Sequence, residues 1–594
     1  MFLATTALEE FWDKSQKIVF LGEWCKLYDR KNEWDKLEHE TLPYHWDDRQ
    51  KLYSDYLYLN ELSEKILEKL TERLNYIHSV SYPVRYWRII FGWWLHMFVE
   101  ILYDRYESIK VAERYGKVKN TYISYFKPGS WTPKDYNEFS PLSISDGYNY
   151  YIYSKIIEFI ERLPYTVVDT LSFNKKLKTY SNIQTNSINL KTLLKSIAKR
   201  TIRVWDKIVP SSLNRIVFVS SYFSLTHQFM LQLRLGQIPY FGKPFDFEAL
   251  KFDFDPDIRK RLSLNMNGNE FEKLLTFLLP EQFPFYYLEG YGCIKQKALN
   301  SYPKNPKVIF TANASFNNEL FKLWSSHYCY RGSKLVHTQH GGAKGIWLFA
   351  GDEEYELKIA DIYYSWGWEN KEDRTIKPMP SPMLAGTQYL NYHKEGRILL
   401  VECALPRYSY WIGSASIAAS GYNVYIEDQF RFIKTLSGNA RKLLLVRLYM
   451  HDYGNSQRKR FEDMFPNVEY YNGSKSVYKQ LSKSRLFIGS YNGTTYLQTL
   501  SANFPTILFW KPSHWELRET AKPYFNELHR VGILHDTPES AAAKVNEIYE
   551  YPIDWWQQSE VQRTRLEFCE MFARTSKKWI DEWVKEFNKV LSKI

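Results

Sequence analysis

The sequence predicts an α/β protein in which two Rossmann-like domains face a cleft, with helical N-terminal insertions and a C-terminal amphipathic helix. From residue 215 onward, short apolar strands alternate with helical segments, the pattern of parallel sheets covered by helices. A proline-rich stretch, Lys377 to Pro382, precedes a second alternating series that begins at Arg397. The length of 594 residues exceeds what one hydrophobic core supports. We therefore expect domains at 1–385 and 395–540, and helices at 541–594 that pack on the body.

Composition narrows the functional class. Hydrophobic residues make up 44% of the chain, so a folded core is expected. The net charge of +12 favours anionic partners, but lysine and arginine are spread along the chain, which disfavours nucleic acid. The five cysteines are far apart and show no CxxC spacing, so we expect neither a disulfide framework nor a structural zinc site.

The most apolar run, Ile89 to Tyr103, is too short to span a bilayer, and residues 1–10 lack a basic leader region. We expect a cytoplasmic protein with, at most, peripheral contact with the inner membrane.

Apolar spacing locates the elements of the first half. The stretch at 118–145 is rich in Pro, Gly, Ser and Asn and is predicted to be a loop. Strands are predicted at 17–21, 215–220, 307–311, 334–336 and 359–365, and helices at 46–80, 87–103, 150–163, 190–209, 221–235 and 316–327.

The second half repeats the alternation. Phe568, Phe572, Trp579, Trp583 and Phe587 recur at roughly helical spacing near the C-terminus, which favours a helix packed on the body over a membrane anchor. Strands are predicted at 397–401, 442–446, 486–489 and 506–509, and helices at 430–436, 478–482 and 496–502.

The most polar loop follows the strand at Lys334–Val336. Its small residues allow close approach of the backbone to a ligand, and its exposed N–H groups can hold an anion. His340 is the candidate catalytic group because imidazole can donate to developing charge. A tight turn with structurally satisfied histidines is the alternative. The candidate ligand-binding residues of this loop are Gln339, Gly341, Gly342 and Lys344.

A second candidate loop follows the strand at Leu486–Gly489 and opens a helix near Thr494. Hydroxyl groups and a glycine at a helix N-terminus form an anion site suited to a nucleotide phosphate. Ordinary capping by Asn492 or Thr494 is compatible with that role. The candidate phosphate-binding residues are Ser490, Asn492, Gly493, Thr494 and Thr495.

Charged residues follow three further strands. Glu23 follows the strand at 17–21, and Glu402 follows the strand at 397–401, so both are candidate catalytic carboxylates. A carboxylate in an apolar cleft beside Trp24 would have a raised pKa. Arg407 and Arg447 are candidate ligands for a phosphate or a sugar carboxylate. Each charge alone is more often part of a surface ion pair.

Familiar catalytic signatures are absent. The sequence has no GxxxxGK[ST], GxGxxG, HExxH, GxSxG or CxxC, which removes the usual support for kinases, dehydrogenases, zinc proteases and α/β-hydrolases. The string Asp253-Phe-Asp255 follows no clear strand, and we expect no metal and no resident cofactor.

The loop at Gln339–Gly345, the segment Ser490–Pro505, the run Leu21–Trp24 and the tail from Trp555 resemble a family of bacterial transferases found among O-antigen and capsule genes. More distantly, the chain is similar to capsule Kdo transferases and nonulosonate transferases, which use CMP-activated acidic sugars. Teichoic-acid polymerases that use CDP-glycerol carry similar elements, so the short motif does not specify the donor.

The resemblance implies a metal-independent glycosyltransferase of GT-B type. It implies a CMP-linked nonulosonic acid, such as pseudaminic acid or Kdo, as donor, and a surface glycan or lipid-linked glycan as acceptor. The similarity to retaining Kdo transferases implies that the anomeric configuration is retained, through a covalent sugar–carboxylate intermediate. Two alternatives remain: a CDP-alcohol phosphotransferase, and a non-catalytic protein that binds glycans through its aromatic residues, which make up 17% of the chain.

Overall fold

The computed structural model describes residues 1–169, 215–241, 250–386, 390, 392–415, 418–474 and 476–594. Within these residues the strands form three parallel sheets, two of five strands and one of six. The predicted α/β class is therefore confirmed. The predicted helix at 190–209 lies outside the described residues.

The first sheet is formed by the N-terminal part of the chain. Its strands are β1 (Phe2–Ala4), β2 (Ile18–Phe20), β3 (His39–Thr41), β4 (Asn120–Ile123) and β5 (Thr166–Val167). The order is β3-β2-β1-β4-β5, so the winding direction reverses between β1 and β4.

This separate sheet corrects the sequence prediction in two respects. The strand β1, which precedes the predicted strand ahead of Glu23, was not predicted, and it lies in the centre of the sheet. The predicted loop at 118–145 contains β4 and the helix Tyr136–Ser143. Residues 1–385 thus hold two sheets instead of one.

The second sheet continues the first half of the chain. Its strands are β6 (Ile216–Val219), β7 (Val308–Thr311), β8 (Lys334–Thr338), β9 (Ile362–Ser365) and β10 (Ile376–Pro378). They lie side by side in chain order. The proline-rich stretch at 377–382 is therefore not simply a linker, because its first two residues pair with β9 at the sheet edge, where a proline is tolerated.

The third sheet has the strand order of a Rossmann fold. Its strands are β11 (Arg397–Val401), β12 (Leu444–Arg447), β13 (Glu469–Tyr471), β14 (Ser484–Gly489), β15 (Thr506–Phe509) and β16 (Leu534–His535). The order β13-β12-β11-β14-β15-β16 is all parallel. The winding direction reverses between β11 and β14, and ligands of such sheets bind in the crevice at that point.

Helices cover the sheets and fill the space between them. The long helix Arg49–Ile77 begins where Asp48 accepts hydrogen bonds from the N–H groups of Gln50 and Lys51, at 3.0 and 3.1 Å. The α-helices are Lys31–Trp34, Arg49–Ile77, Val84–Trp87, Trp93–Tyr115, Tyr136–Ser143, Asp146–Ile160, Leu225–Arg234, Pro256–Leu262, Glu270–Gln282, Tyr291–Leu299, Ala314–Asn317, Glu319–Tyr330, Gly351–Ile359, Ala418–Thr435, Gly438–Lys442, Gln457–Met464, Val477–Leu481, Thr494–Ser501, Lys522–Arg530, Pro538–Ile548, Pro552–Trp556, Ser559–Phe572 and Trp579–Leu591, with a π-helical turn at Arg88–Gly92.

The C-terminal helix, Trp579–Leu591, returns to the second sheet. Trp583 is fully buried, its ring lies 4.9 Å from that of Tyr364, and its indole N–H donates to the Pro380 carbonyl at 3.1 Å. One face of this helix therefore packs against the second sheet. Nowhere in the described part of the chain does a helix have the length and apolar character needed to cross a bilayer.

Candidate active site

Two loops that the sequence singles out are in direct contact. The Gly342 N–H, in the loop after β8, donates to Thr494 Oγ1, in the loop after β14, at 3.0 Å. The Trp347 indole N–H donates to the Asn492 carbonyl at 3.2 Å. The carboxyl end of the second sheet therefore meets the switch point of the third, and both loops line one junction.

At this junction His340 is held by a buried carboxylate. Its Nδ1 lies 2.9 Å from Glu356 Oε1, and the imidazole remains 19% exposed. Since Nδ1 is engaged, Nε2 is the nitrogen left to face a ligand, with Asp352 Oδ2 4.0 Å away. A carboxylate that fixes the orientation of an imidazole in this way favours proton transfer or hydrogen-bond donation at Nε2.

Glu356 is ionised despite its burial. Burial raises the pKa of this carboxyl, but the charge and hydrogen bond of His340, the hydrogen bond of His337 and the charge of Lys344 outweigh burial and lower the pKa to about 2. His337 Nε2 also lies 3.0 Å from Ser315 Oγ. The fixed negative charge can stabilise positive charge on His340.

Aromatic rings border His340 on the side of the second sheet. The Phe316 ring lies 5.2 Å from the imidazole and the Tyr222 ring 6.4 Å from it, between centroids. Tyr222 adopts a left-handed backbone conformation with φ of 66°, which directs this bulky residue out of the end of β6. Asn313, after β7, donates to the Tyr222 hydroxyl at 3.0 Å.

On the other side of the junction lies the N-terminus of the helix Thr494–Ser501. Gly493 caps this helix without a side-chain hydrogen bond, so the first N–H groups have no side-chain cap. Asn492 is fully buried; its Oδ1 accepts from the Tyr496 hydroxyl, and among the described residues its Nδ2 has no hydrogen-bond acceptor. Free N–H groups, the positive end of the helix dipole and partly exposed threonine hydroxyls can hold a phosphate here.

The predicted carboxylate Glu402 lies at the switch point but is not presented to a substrate. It is 1% exposed and lies between Tyr425, whose hydroxyl donates to Oε2 at 2.5 Å, and Ser490, whose Oγ is 3.5 Å from Oε2. Burial raises the pKa of Glu402 to about 8, partly offset by these two hydrogen bonds. The structure thus makes Glu402 a neutral member of a buried network, which Ser490 extends to the Val401 carbonyl at 2.9 Å.

Glu23 also differs from its prediction. It follows β2 of the first sheet, whereas His340 follows β8 of the second. Its side chain is 31% exposed and forms an ion pair with Lys26 at 2.7 Å. The carboxylate is therefore partly exposed and is not enclosed in an apolar cleft. It also belongs to a different sheet from His340.

The two predicted anion-binding arginines have partners within the protein. Arg407 is buried and binds the Asp146 carboxylate and the Trp24 carbonyl. Arg447 donates to Gln480 and to the Gly473 carbonyl. Both guanidinium groups therefore join parts of the fold, and each has hydrogen-bond partners within the protein.

Within the His340 loop, two predicted ligands are structural. Gln339 is fully buried: its Oε1 accepts from the Trp366 N–H and the Trp368 indole N–H at 2.9 and 2.8 Å. Lys344 is 1% exposed and forms an ion pair with Asp352. The residues that remain partly exposed at the junction are His340, Gly341, Gly493, Thr494 and Thr495.

Glu356 and Asp352 were not predicted. They lie four residues apart on the helix Gly351–Ile359, so they share one face of it. The acidic run Asp352-Glu353-Glu354, directly after the glycine-containing loop, is the signal from which this pairing could have been found.

These features define an α/β protein in which a histidine–carboxylate pair of the second sheet lies beside the switch point of a Rossmann-type sheet. A family model described as LIC12162 family transferase matches residues 1–587, and the chain belongs to that family. No curated protein matches the chain.

Two solved structures are similar to this chain at low TM-score. One is an α,α-trehalose-phosphate synthase (UDP-forming) from Burkholderia xenovorans in complex with glucose-6-phosphate, at 9% identity and TM-score 0.30, over 52% of this chain and 80% of that one. The other is WaaG, a glycosyltransferase involved in lipopolysaccharide biosynthesis, at 12% identity and TM-score 0.25, over 62% of this chain and 99% of that one.

Proposed function

We propose that this protein is a GT-B-type glycosyltransferase that moves a sugar from a nucleotide-sugar donor to a glycan acceptor without a metal ion. Membership of a transferase family supports the reaction class. The observation that carries the proposal is the hydrogen bond from the Gly342 N–H to Thr494 Oγ1, because it brings the His340–Glu356 pair beside a helix N-terminus at a Rossmann switch point.

In the proposed reaction, the phosphate next to the sugar is held by the N–H groups at the start of the helix Thr494–Ser501. His340 Nε2 donates to that phosphate as negative charge develops on the leaving group, and Glu356 stabilises the imidazolium. Retention of configuration requires two displacements: a carboxylate attacks the anomeric carbon as the phosphate leaves, and the acceptor hydroxyl then displaces that carboxylate. The hydroxyl loses its proton to His340 Nε2, which has given its own proton to the phosphate. Asp352 is a partly exposed carboxylate near His340, and it replaces Glu23 and Glu402 as our candidate for the attacking carboxylate.

We further propose a CMP-linked acidic sugar as donor, a nonulosonic acid such as pseudaminic acid or Kdo, and a bacterial surface polysaccharide as acceptor, with retention of configuration. The support for this choice is the sequence resemblance to capsule Kdo and nonulosonate transferases. The net charge of +12 agrees with an anionic donor.

The test is turnover by purified protein with CMP-, UDP- and GDP-sugars and CDP-glycerol, each with and without a glycan acceptor. Acceptor-dependent release of CMP is expected, with a product that mass spectrometry shows to be free of phosphorus and whose anomeric configuration NMR determines. Phosphorus in the product would instead show a phosphotransferase. Glycan binding with no nucleotide affinity would show a non-catalytic protein.

The role of His340 is tested in the same assay. His340→Gln should lower kcat at least about a hundredfold, the usual scale for loss of a positioned acid or base. His529→Gln is the matched control, because His529 also pairs with a carboxylate, Asp536 at 3.3 Å, but on the surface of the helix Lys522–Arg530. A His340→Gln enzyme with the wild-type rate would exclude His340 from the reaction.

A further inference from the structure

An apolar ridge runs along the outer face of the helix Leu225–Arg234. Leu225, Phe229 and Leu233 recur every four residues, so they lie in one line, and Met230 lies beside them. The four side chains are between 43% and 60% exposed. Single exposed apolar residues are ordinary, but a continuous row of this size marks a contact surface. The opposite face of the helix, with Gln228 and Leu231, is buried.

The C-terminal helix, Trp579–Leu591, lies directly beside this ridge. Arg234 forms an ion pair with Asp581, and the His227 ring lies 4.8 Å from the ring of Trp579. Since Lys585 and Lys589 follow Asp581 at intervals of four residues, they share the exposed face of this helix with it.

In the part of the chain that the structure describes, these lysines form no ion pair. The three acidic residues of the helix are engaged elsewhere: Asp581 with Arg234, Glu582 with Arg574 at 3.6 Å, and Glu586 with Lys377 at 3.0 Å. Within the described residues, neither Lys585 nor Lys589 has a carboxylate partner within 4.0 Å. The surface therefore combines exposed apolar side chains with uncompensated positive charge.

We propose that the ridge and the two lysines form a docking surface for an anionic lipid membrane. Apolar side chains that enter the boundary between headgroups and acyl chains, flanked by lysines that attract anionic headgroups, are the combination that binds a protein flat on a bilayer. The charge complementarity argues for a lipid surface over a second copy of this cationic chain. This inference does not depend on the proposed catalytic function.

The experiment is cosedimentation of the full-length protein with vesicles of phosphatidylglycerol and phosphatidylcholine, and with vesicles of phosphatidylcholine alone. The wild type should bind the anionic vesicles, and this binding should weaken as salt is raised. The double variant Lys585→Gln/Lys589→Gln should lose roughly twentyfold or more in affinity, since each lysine near such a surface contributes about fivefold. Phe229→Ser/Leu233→Ser should lose at least tenfold.

Two control variants match these changes. Lys31→Gln/Lys36→Gln removes the same charge from exposed positions near the N-terminus, and Leu57→Ser/Tyr76→Ser removes exposed apolar side chains from the helix Arg49–Ile77. Both should bind vesicles like the wild type.

Three results would overturn the proposal. The first is a wild-type protein that does not bind anionic vesicles. The second is ridge variants that bind as well as the wild type, with or without a lowered melting temperature, because the ridge would then serve a contact within the protein or none. The third is a dimer that the ridge variants dissociate while no vesicle binding occurs, which would assign the ridge to a second copy.

Discussion

At the scale of single residues, the junction depends on Gly342 having no side chain. A Cβ at this position would lie 2.5 Å from the Gly493 carbonyl oxygen, closer than side chains tolerate, and 3.0 Å from Leu497 Cδ1, a tight contact. The glycine is therefore required by close approach of two backbones, and a larger residue would push the two loops apart.

Gly342→Ala should consequently destabilise the protein by about 1–3 kcal/mol and lower donor turnover at least tenfold. Gly292→Ala is the control, because a Cβ there meets nothing within 4 Å and the residue lies in the helix Tyr291–Leu299. It should be neutral or stabilising by up to about 1 kcal/mol. Denaturant unfolding and turnover assays of both variants check the prediction, which fails if the two behave alike.

Glu402 leads to a prediction about pH. Its pKa is raised from 4.5 to about 8 in the folded protein, so the folded state binds this proton more tightly than the unfolded state. The stabilisation is fully present below pH 4.5 and is lost as the pH rises through 8. Glu402→Gln, which keeps the shape but cannot ionise, should gain stability relative to the wild type between pH 5 and pH 9.

Unfolding in urea at several pH values measures this difference. The same variant should retain turnover within a few-fold, since the account gives Glu402 no proton to transfer. A loss of a thousandfold would restore Glu402 as a nucleophile or base.

At the scale of secondary-structure elements, the alternation of apolar runs and helical segments in the sequence predicted the two sheets whose strands are longer. β6, β7, β8, β11 and β14 each contain four to six residues, enough for an apolar run to stand out. Of the first sheet only β2 was predicted as a strand; β1 and β3 have three residues each, and β5 has two. Such short strands are fixed by pairing with distant segments, a contact that local sequence does not encode.

The candidate loops were predicted because their residue types are visible locally in the sequence. The residues that surround them in the fold were not predicted. Glycines and hydroxyls at strand ends are visible in sequence, so the loops at 339–345 and 490–495 were found. Arg407 and Asp146, in contrast, are 261 residues apart, and only the fold shows that they bind each other.

The C-terminal helix is expected to stabilise the protein by packing against the second sheet. Trp583→Ala should cost about 3–5 kcal/mol, because it leaves a cavity against Phe310 and Tyr364 and removes the bond to Pro380. Tyr551→Ala, at a residue 55% exposed, should change stability by less than about 0.5 kcal/mol. Equal effects of the two substitutions in denaturant titrations would contradict the packing.

At the scale of the whole molecule, the helices Asp146–Ile160 and Trp93–Tyr115 hold the loop that follows β11. The Asp146 carboxylate binds Arg407 and accepts from the Tyr408 hydroxyl at 2.6 Å, and Arg105 donates to the Ser409 carbonyl at 2.8 Å. This loop starts at the switch point, and its contacts with the two helices join the N-terminal half of the chain to the third sheet.

Arg407→Ala and Asp146→Ala should each destabilise the protein by about 3–5 kcal/mol, because each leaves a buried charge unpaired. The donor KM should stay unchanged in both variants. Arg458→Ala is the control, since its pair with Glu462 is exposed and should contribute at most about 1 kcal/mol. A rise in donor KM for Arg407→Ala, with little loss of stability, would instead make Arg407 a donor ligand.

The most direct measurement is a crystal structure of the protein with the nucleotide that raises its melting temperature most. We predict that a phosphate oxygen lies within hydrogen-bond distance of the N–H groups of Thr494 or Thr495, and that His340 Nε2 faces the same phosphate. A nucleotide bound at the first sheet, or anywhere away from the junction of Gly342 and Thr494, would contradict the account.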